Sequence, residues 1–405
     1  MAAVVGSLAA AGLVAASTYV GAAALAPIAP VEPSVVPIES VSTPAADVAL
    51  PSYGGSAIGD ADSGHLFAGV DIDTPRPIAS LTKVITALVV LAERPIDYGD
   101  DGAVITLTAA DSRLVARYAA INGTTAPAPA GRTITQRAVI ELMMVHSANN
   151  YAETLAVWAF GSVDAYLDAA RAWLDEQGLS SINVADTTGF SPENRASPRT
   201  LLRLARLATA DPVVSAAGAL PRVTVPGIGS YDNRNLIVGL DGVTGLKTGT
   251  LRASGSSLLF SAEHAGPNGE HRVVGVVLNG PDGPRVAADA RALLLSVRDD
   301  YHEVELVPEG AVIARYSTPW GDTAELRTAR GVDDLVWGEM TSAVTISAPI
   351  VQPGVGTSGV AAVEVRYAGQ RVRVPVRWVG SIDEPPLAWR LAQPIGELVE
   401  ALGLD

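Results

Sequence analysis

The chain has 405 residues, 18% charged and 48% hydrophobic, with a net charge of −15 and no cysteine. That length suggests two to three domains around a substantial core. The acidic balance argues against nucleic acid and against a basic patch on anionic lipid, and the lack of cysteine excludes disulfides, thiol nucleophiles and thiolate metal sites.

Residues 1–31 carry no charged side chain, and residues 4–26 are rich in Ala, Val, Leu and Gly. Such a run reads as a signal peptide or a membrane anchor, so the protein is expected to be exported, extracytoplasmic, and either secreted or held at the cell membrane. Ala24-Leu25-Ala26 has the small-x-small pattern of a cleavage site, although Pro27 disfavours cutting there. No Lys or Arg precedes the run, which suggests a true start further upstream. Six prolines between residues 27 and 51 predict a stiff, extended linker over residues 27–52.

Residues 56–60 and 65–70 read as a β-hairpin around the turn Ala61-Asp62-Ser63-Gly64. Past Pro75 and Pro77, the apolar run from residue 84 to residue 92 predicts a helix starting near Ser80. Residues 133–146 predict a mostly apolar helix, ended by Ser147-Ala148-Asn149-Asn150, which caps the next helix over residues 151–160. An interruption of this kind places small polar side chains deep in a cleft. A further amphipathic helix is expected over residues 163–177, then a turn-rich stretch over residues 186–194. Ser197-Pro198 opens another helix to residue 208. Residues 242–250 read as a strand. Strands over residues 256–262 and 271–278 are joined through Pro267-Asn268-Gly269, a hairpin signal. A helix over residues 287–297 closes the region. The organisation is α+β, an antiparallel sheet flanked by helices with an inserted all-α subdomain.

Residues 301–405 form a small C-terminal all-β domain, with strictly alternating strands at residues 362–367 and 371–378. Residues 394–402 are compatible with a short helix. The expected domains are 1–26 (signal or anchor), 27–52 (linker), 53–300 and 301–405.

The chemistry is sharpest at Ser80-Leu81-Thr82-Lys83. Three residues apart on a helix, Ser80 and Lys83 share a face, and a serine hydroxyl becomes nucleophilic when a neighbouring base takes its proton. The chain has 26 arginines and two lysines, Lys83 and Lys247. Arginine stays protonated in proteins whereas lysine can lose its proton, so the two positions that keep lysine are candidates for proton transfer.

Ser80-x-x-Lys83, Ser147-x-Asn149 and Lys247-Thr248-Gly249 follow one another in the order Ser-x-x-Lys, Ser-x-Asn, Lys-Thr-Gly. Together they resemble the penicillin-binding protein and serine β-lactamase superfamily, across roughly residues 53–300. Pro77-Ile78-Ala79-Ser80, Ser147-Ala148-Asn149-Asn150 and Asp186-Thr187-Thr188-Gly189-Phe190-Ser191-Pro192 are similar to the low-molecular-mass D-alanyl-D-alanine carboxypeptidases. The resemblance implies a β-lactamase/transpeptidase-like domain that trims peptidoglycan stem peptides ending in D-Ala-D-Ala and binds β-lactams covalently. It implies Ser80 as nucleophile and Lys83 as its base, kept neutral partly by the charge of Lys247. Ser147 would relay a proton to the leaving amine. Asn149 would hold the substrate amide, and Lys247 and Thr248 its terminal carboxylate. Gly249 would let the substrate backbone lie against the strand, and the N–H groups of Ser80 and Thr250 would form the oxyanion hole. No metal or cofactor is required.

His146 stands where relatives often have proline, and it reads as a bystander at a helix end. The Glu-x-x-x-Asn loop of class A β-lactamases is not evident, so a dedicated deacylating glutamate is not expected. A Ser-His-Asp hydrolase is disfavoured by five scattered histidines and no Gly-x-Ser-x-Gly; a metallohydrolase lacks His-Glu-x-x-His. The remaining alternatives are a β-lactamase or DD-endopeptidase on the same scaffold, and a non-catalytic wall-binding protein.

Overall fold

The computed structural model describes residues 2–97, 99–266, 269–355 and 360–394. Residues 46–300 form one compact unit; residues 1–45 together with residues 301–405 form a second.

The first unit is built on a five-stranded antiparallel sheet. Its spatial order is Val243–Leu251, Gly255–Gly266, Gly269–Gly280, Gly55–Asp60 and Leu66–Val70. The chain thus starts in the sheet, leaves it after residue 70 for a block of helices, and returns at residue 243. This is the architecture expected from the order of elements. Helices Pro198–Ala210 and Gly283–Asp299 pack on the central strands. Both open on a side-chain cap, Ser197 to the N–H of Thr200 and Asp282 to that of Arg285, with proline in the first turn.

The helix Thr82–Glu93 runs through the middle of this unit, buried at every residue from Thr82 to Leu91. An all-round apolar helix has to be a core element, and this one is covered by helices Asn149–Phe160 and Val163–Glu176. Its side chains belong to a single hydrophobic core that also holds Ile140, Leu142, Leu155, Leu201 and Leu259.

Several local expectations are corrected. Residues 133–146 are not one helix: Thr133–Thr135 pairs with Val104–Thr106 as a strand, Gln136–Glu141 is α-helical, and Leu142–His146 winds as a π-helix. The wider π turn lets Leu142 to Val145 all stay buried while the chain swings out at Ser147, which adopts a left-handed φ of 66°. The following helix begins at Asn149 and has no side-chain cap, so Ser147 does not cap it. The hairpin turn at Pro267-Asn268 lies outside the described residues, although its strands pair down to Gly266 and Gly269.

Among the described residues, the second unit contains four small sheets; two are the two-stranded pairs Tyr301–Val307 with Val332–Trp337 and Ser42–Thr43 with Met340–Thr341. The third has the order Ser34–Val35, Val312–Ser317, Thr323–Thr328, Val376–Gly380, and the fourth Ala343–Ser347, Ala362–Tyr367, Gln370–Val374. The single strand expected over residues 371–378 is two strands in different sheets. Pro375, which has no N–H to donate, stands at the break. Residues 27–52, expected as a free linker, contribute short strands here: Ser34–Val35 pairs with Val312–Ser317, and Ser42–Thr43 with Met340–Thr341. A short helix, Leu387–Leu391, was not anticipated, and most of the helix expected over residues 394–402 lies outside the described residues. At the other end, the apolar run is a helix, Ala2–Leu25, whose segment Ser7–Leu25 is long and apolar enough to cross a membrane.

One packing contact tests the sheet directly. Phe260 lies opposite Gly275 on the neighbouring strand, and a Cβ at Gly275 would fall 2.1 Å from the Phe260 ring. Gly275→Ala is expected to cost about 1–3 kcal/mol in denaturant unfolding, as overpacked cores do. Adding Phe260→Leu should recover part of that loss. Equal stability of Gly275→Ala and wild type would contradict the packing.

Candidate active site

Ser80 sits in a single 3-10 turn, Ala79–Leu81, that leads without a break into the helix Thr82–Glu93. The first N–H groups of a helical segment have no intrahelical acceptor, so the Ser80 N–H stands free beside its own hydroxyl. Ala79 takes a positive φ of 47°, which turns the chain sharply ahead of Ser80. Two glycines allow neighbouring segments to close on this turn. A Cβ at Gly189 would lie 1.8 Å from the Ala79 carbonyl oxygen, and one at Gly249 would lie 2.9 Å from that of Ile78 and 3.2 Å from the Ser80 nitrogen. Gly249 therefore has a reason beyond the one anticipated: the space it leaves is taken by the turn carrying Ser80.

One helical turn on, Lys83 is 0% exposed. Its Nζ lies 2.9 Å from Ser80 Oγ, 2.6 Å from Asn149 Oδ1 and 2.7 Å from the Thr188 carbonyl oxygen. The last two are pure acceptors. A neutral amine has two N–H bonds and one lone pair. With the N–H bonds donated to Asn149 and Thr188, the lone pair points at the Ser80 hydroxyl, which can donate to it. Burial pushes the Lys83 ammonium down to about 7; the negative charge of Asp186 opposes this and the positive charge of Arg234 adds to it.

The Thr188 carbonyl is held in place by two anchors. Thr86, on the same helix as Lys83, donates from its hydroxyl to the Thr187 carbonyl at 2.8 Å and pairs with Tyr166 Oη at 2.8 Å. Asp186 gathers the loop beyond. Its carboxylate accepts from the N–H groups of Thr188 (2.7 Å), Gly189 (2.6 Å) and Ser191 (2.7 Å), and from Asn194 Nδ2 (3.0 Å). Burial alone would raise its carboxyl, but the hydrogen bonds from Ser191, Thr188 and Gly189 together outweigh burial and hold it below the usual carboxylate range.

Asn149 opens the next helix, and its N–H donates to the Thr124 carbonyl at 2.8 Å. Asn150 fastens the facing loop through both ends of its amide, to the N–H and C=O of Ala126. Ser147 is 6% exposed and Asn149 5% exposed. The strand Val243–Leu251 brings Lys247, Thr248, Gly249 and Thr250 past the Ser80 turn. Lys247 is buried, donates to the Thr248 carbonyl at 3.0 Å, and is driven well below its ordinary range by burial and then by the charges of Lys83 and Arg234. Thr248, Gly249 and Thr250 line a cavity of about 300 Å³ together with Arg234 and Ser256.

Ser80, Lys83 and Asn149 are thus joined by hydrogen bonds, the strand carrying Lys247 to Thr250 packs on the Ser80 turn, and Ser147 is buried two residues before Asn149. The structure also adds groups that sequence reasoning missed. Burial, not the charge of Lys247, is the main cause that lowers Lys83. Asp186 was legible only as part of a turn-rich stretch, although an aspartate just ahead of such a stretch is the usual sign of side-chain capping of a turn. Arg234 gave no signal among 26 arginines. His146 lies close by, its ring centroid 4.0 Å from that of Tyr231 and its Nε2 3.2 Å from the Thr125 carbonyl oxygen. Burial lowers its imidazole, and the nearby Arg234 and Lys247 add to this.

Among known proteins, a 27% identical relative over 219 residues is the D-alanyl-D-alanine carboxypeptidase DacB2 of Mycobacterium tuberculosis, covering 52% of this chain and 70% of that protein. A D-alanyl-D-alanine endopeptidase of Pseudomonas aeruginosa is 27% identical over 173 residues, which are 42% of this chain and 52% of its own length. The fold is that of the Streptomyces K15 DD-transpeptidase, with a TM-score of 0.54 at 22% identity over 63% of this chain and 98% of that one. A penicillin-binding protein homologue of Mycobacterium tuberculosis has a TM-score of 0.52 at 23% identity, over 65% and 95% of the two chains. The family profile described as D-alanyl-D-alanine carboxypeptidase matches residues 46–282, more than half of the sequence. With Ser80, Lys83, Asn149 and Lys247 assembled inside that matched region, the chain belongs to the D-alanyl-D-alanine carboxypeptidase family.

Proposed function

We propose that the unit around residues 53–300 is a serine D-Ala-D-Ala carboxypeptidase that removes the terminal D-alanine of peptidoglycan stem peptides and is acylated by β-lactams at the same serine. The observation that carries this reading is the Lys83 amine, 2.9 Å from Ser80 Oγ, with both its other positions directed at fixed acceptors.

In this reading Lys83, neutral, takes the Ser80 proton as Oγ attacks the carbonyl of the penultimate D-alanine. The tetrahedral oxyanion is received by the N–H groups of Ser80 and Thr250; one such donor is commonly worth about 10²–10³ in turnover. Ser147 passes its proton to the leaving amine and takes one back from Lys83, so that free D-alanine departs and Lys83 is neutral again. Water, its proton taken by Lys83, then adds to the acyl-enzyme; the Oγ–acyl bond breaks, the shortened peptide leaves as its carboxylate, and Ser80 recovers its hydroxyl proton from Lys83. Asn149 orients Lys83 and the substrate amide. Lys247, Thr248 and the exposed Arg234 supply the positive, hydrogen-bonding wall for the terminal carboxylate, a job suited to a guanidinium fork. A substrate carboxylate arriving beside Lys247 also offsets the charge that burial makes costly.

Two variants test the chemistry of the serine and its base. Incubating the chain with a labelled penicillin should give a covalent adduct that Ser80→Ala abolishes; an equal adduct on that variant would refute the nucleophile. Lys83→Arg keeps the charge but cannot give up a proton, so acylation should fall by about 10²–10⁴; a near-normal rate would refute the base.

The pH profile has a defined sign. The active form carries neutral Lys83, so acylation should rise about tenfold per pH unit below about 7 and level off above it. Asp186 is a positioning residue whose charge favours the protonated lysine. Asp186→Asn should therefore shift that acid limb to lower pH while lowering the plateau. A lower plateau with an unmoved limb would leave Asp186 a purely structural role.

A further inference from the structure

The second unit contains a contact that neither family membership nor catalysis calls for. The last two turns of the apolar helix Ala2–Leu25 pack against the short helix Leu387–Leu391. Tyr19 Oη donates to the Leu391 carbonyl at 3.0 Å. Arg390, 9% exposed, donates from Nη1 to the carbonyls of Ala24 and Ala26, both at 3.1 Å. These carbonyls belong to the end of the helix, where C=O groups lack an intrahelical acceptor role and the dipole favours a cation. Ala23 and Ala26 are buried in this contact. Trp320 and Trp389 meet edge to face beside it, with ring centroids 5.1 Å apart. They line a cavity of about 390 Å³ with Ala23, Pro27 and Pro30.

The chain that leaves the helix is fixed at once. Gln352 Nε2 donates to the Ile28 carbonyl at 2.9 Å, and Val31 exchanges backbone hydrogen bonds of 2.8 and 3.0 Å with Val351. The other end of the helix is bare: Leu8, Leu13 and Val14 are each about two-thirds exposed or more, at 69%, 70% and 66%. The whole helix Ala2–Leu25 extends roughly 36 Å at 1.5 Å per residue, against the roughly 30 Å of a bilayer's hydrocarbon core, and Ser7–Leu25 is its apolar span. One helix thus has an apolar, exposed part and a part built into the folded unit.

We propose that Ala2–Leu25 is a retained membrane anchor, clasped where it leaves the bilayer by Leu387–Leu391, with Tyr19, Trp320 and Trp389 seated at the level of the lipid headgroups. Aromatic rings with one polar edge collect at that depth. Cutting after Ala26, where the small-x-small pattern lies, would carry away Tyr19, Ala23 and both carbonyls that satisfy Arg390. The guanidinium would stay buried with only the Glu384 carboxylate, at 3.7 Å, as an ion-pair partner, and losing acceptors inside the protein is unfavourable. The covered, capped helix end also denies a signal peptidase the extended segment it must grip.

The test uses the full chain produced in a bacterial host. Its mature form should stay with salt- and carbonate-washed membranes until detergent is added, and its intact mass should include residues 7–25. A mature chain beginning at Pro27 or beyond, recovered in the aqueous wash, would overturn the proposal. In phosphatidylethanolamine–phosphatidylglycerol vesicles brominated near the top of the acyl chains, tryptophan quenching should be at least twofold greater for wild type than for Trp320→Phe/Trp389→Phe. Equal quenching of the two would overturn the seating at the headgroups. Penicillin acylation, measured on the same samples, should be unchanged by the double variant, so that this proposal fails or stands apart from the assignment of Ser80.

Discussion

A lysine amine kept out of water, with one lone pair aimed at a serine hydroxyl, is the constraint on which the first unit depends. An ammonium ion with no counter-charge in direct contact is expensive to bury, and the cheapest response is to shed the proton. The core helix around Lys83 imposes the burial, and Asn149 and Thr188 then fix which way the resulting amine faces. Asp186 sets the limit. It is near enough to stabilise the charged form electrostatically, yet its own oxygens are occupied by loop N–H groups and Asn194, with no direct bond to Lys83. The amine is held close to neutrality, the range in which the proposed general base would work best at ordinary pH.

That balance explains otherwise odd features of the scaffold. Gly189 and Gly249 are needed because a loop and a strand both press against the Ser80 turn, closer than a Cβ would permit. The π-helix Leu142–His146 and the left-handed Ser147 redirect the chain so that the next helix starts at Asn149, within reach of Lys83. Irregular backbone of these kinds is tolerated where the surrounding structure determines it, and it concentrates at working sites.

How much of this could be read from the sequence follows from the range of the interactions. Lysine at only two positions in a chain rich in arginine is a statement about chemistry, and it marks Lys83 and Lys247 without any structure. The sheet with its inserted helices follows from the order of strand and helix patterns. What stayed hidden is set by contacts distant in sequence. Arg234 acts through its charge on Lys83 and Lys247, which no local pattern encodes. Thr133–Thr135 is a strand because Val104–Thr106 lies beside it, overriding a helical apolar pattern. Residues 371–378 alternate like one strand, yet Pro375 divides them between two sheets. The proline-rich stretch before residue 52 looked unpartnered because its partners, residues 312–317 and 340–341, lie far along the chain.

The same scarcity of lysine makes the central claim open to direct observation. Protein labelled with ¹³C at lysine Cε carries two side-chain signals in the folded chain, and replacing Lys247 assigns the one from Lys83. Titrated by NMR without substrate, the Lys83 signal should move with a midpoint of about 7. A midpoint near the ordinary lysine value of about 10.4 would mean that the amine beside Ser80 is charged at neutral pH, and the proposed base would be contradicted.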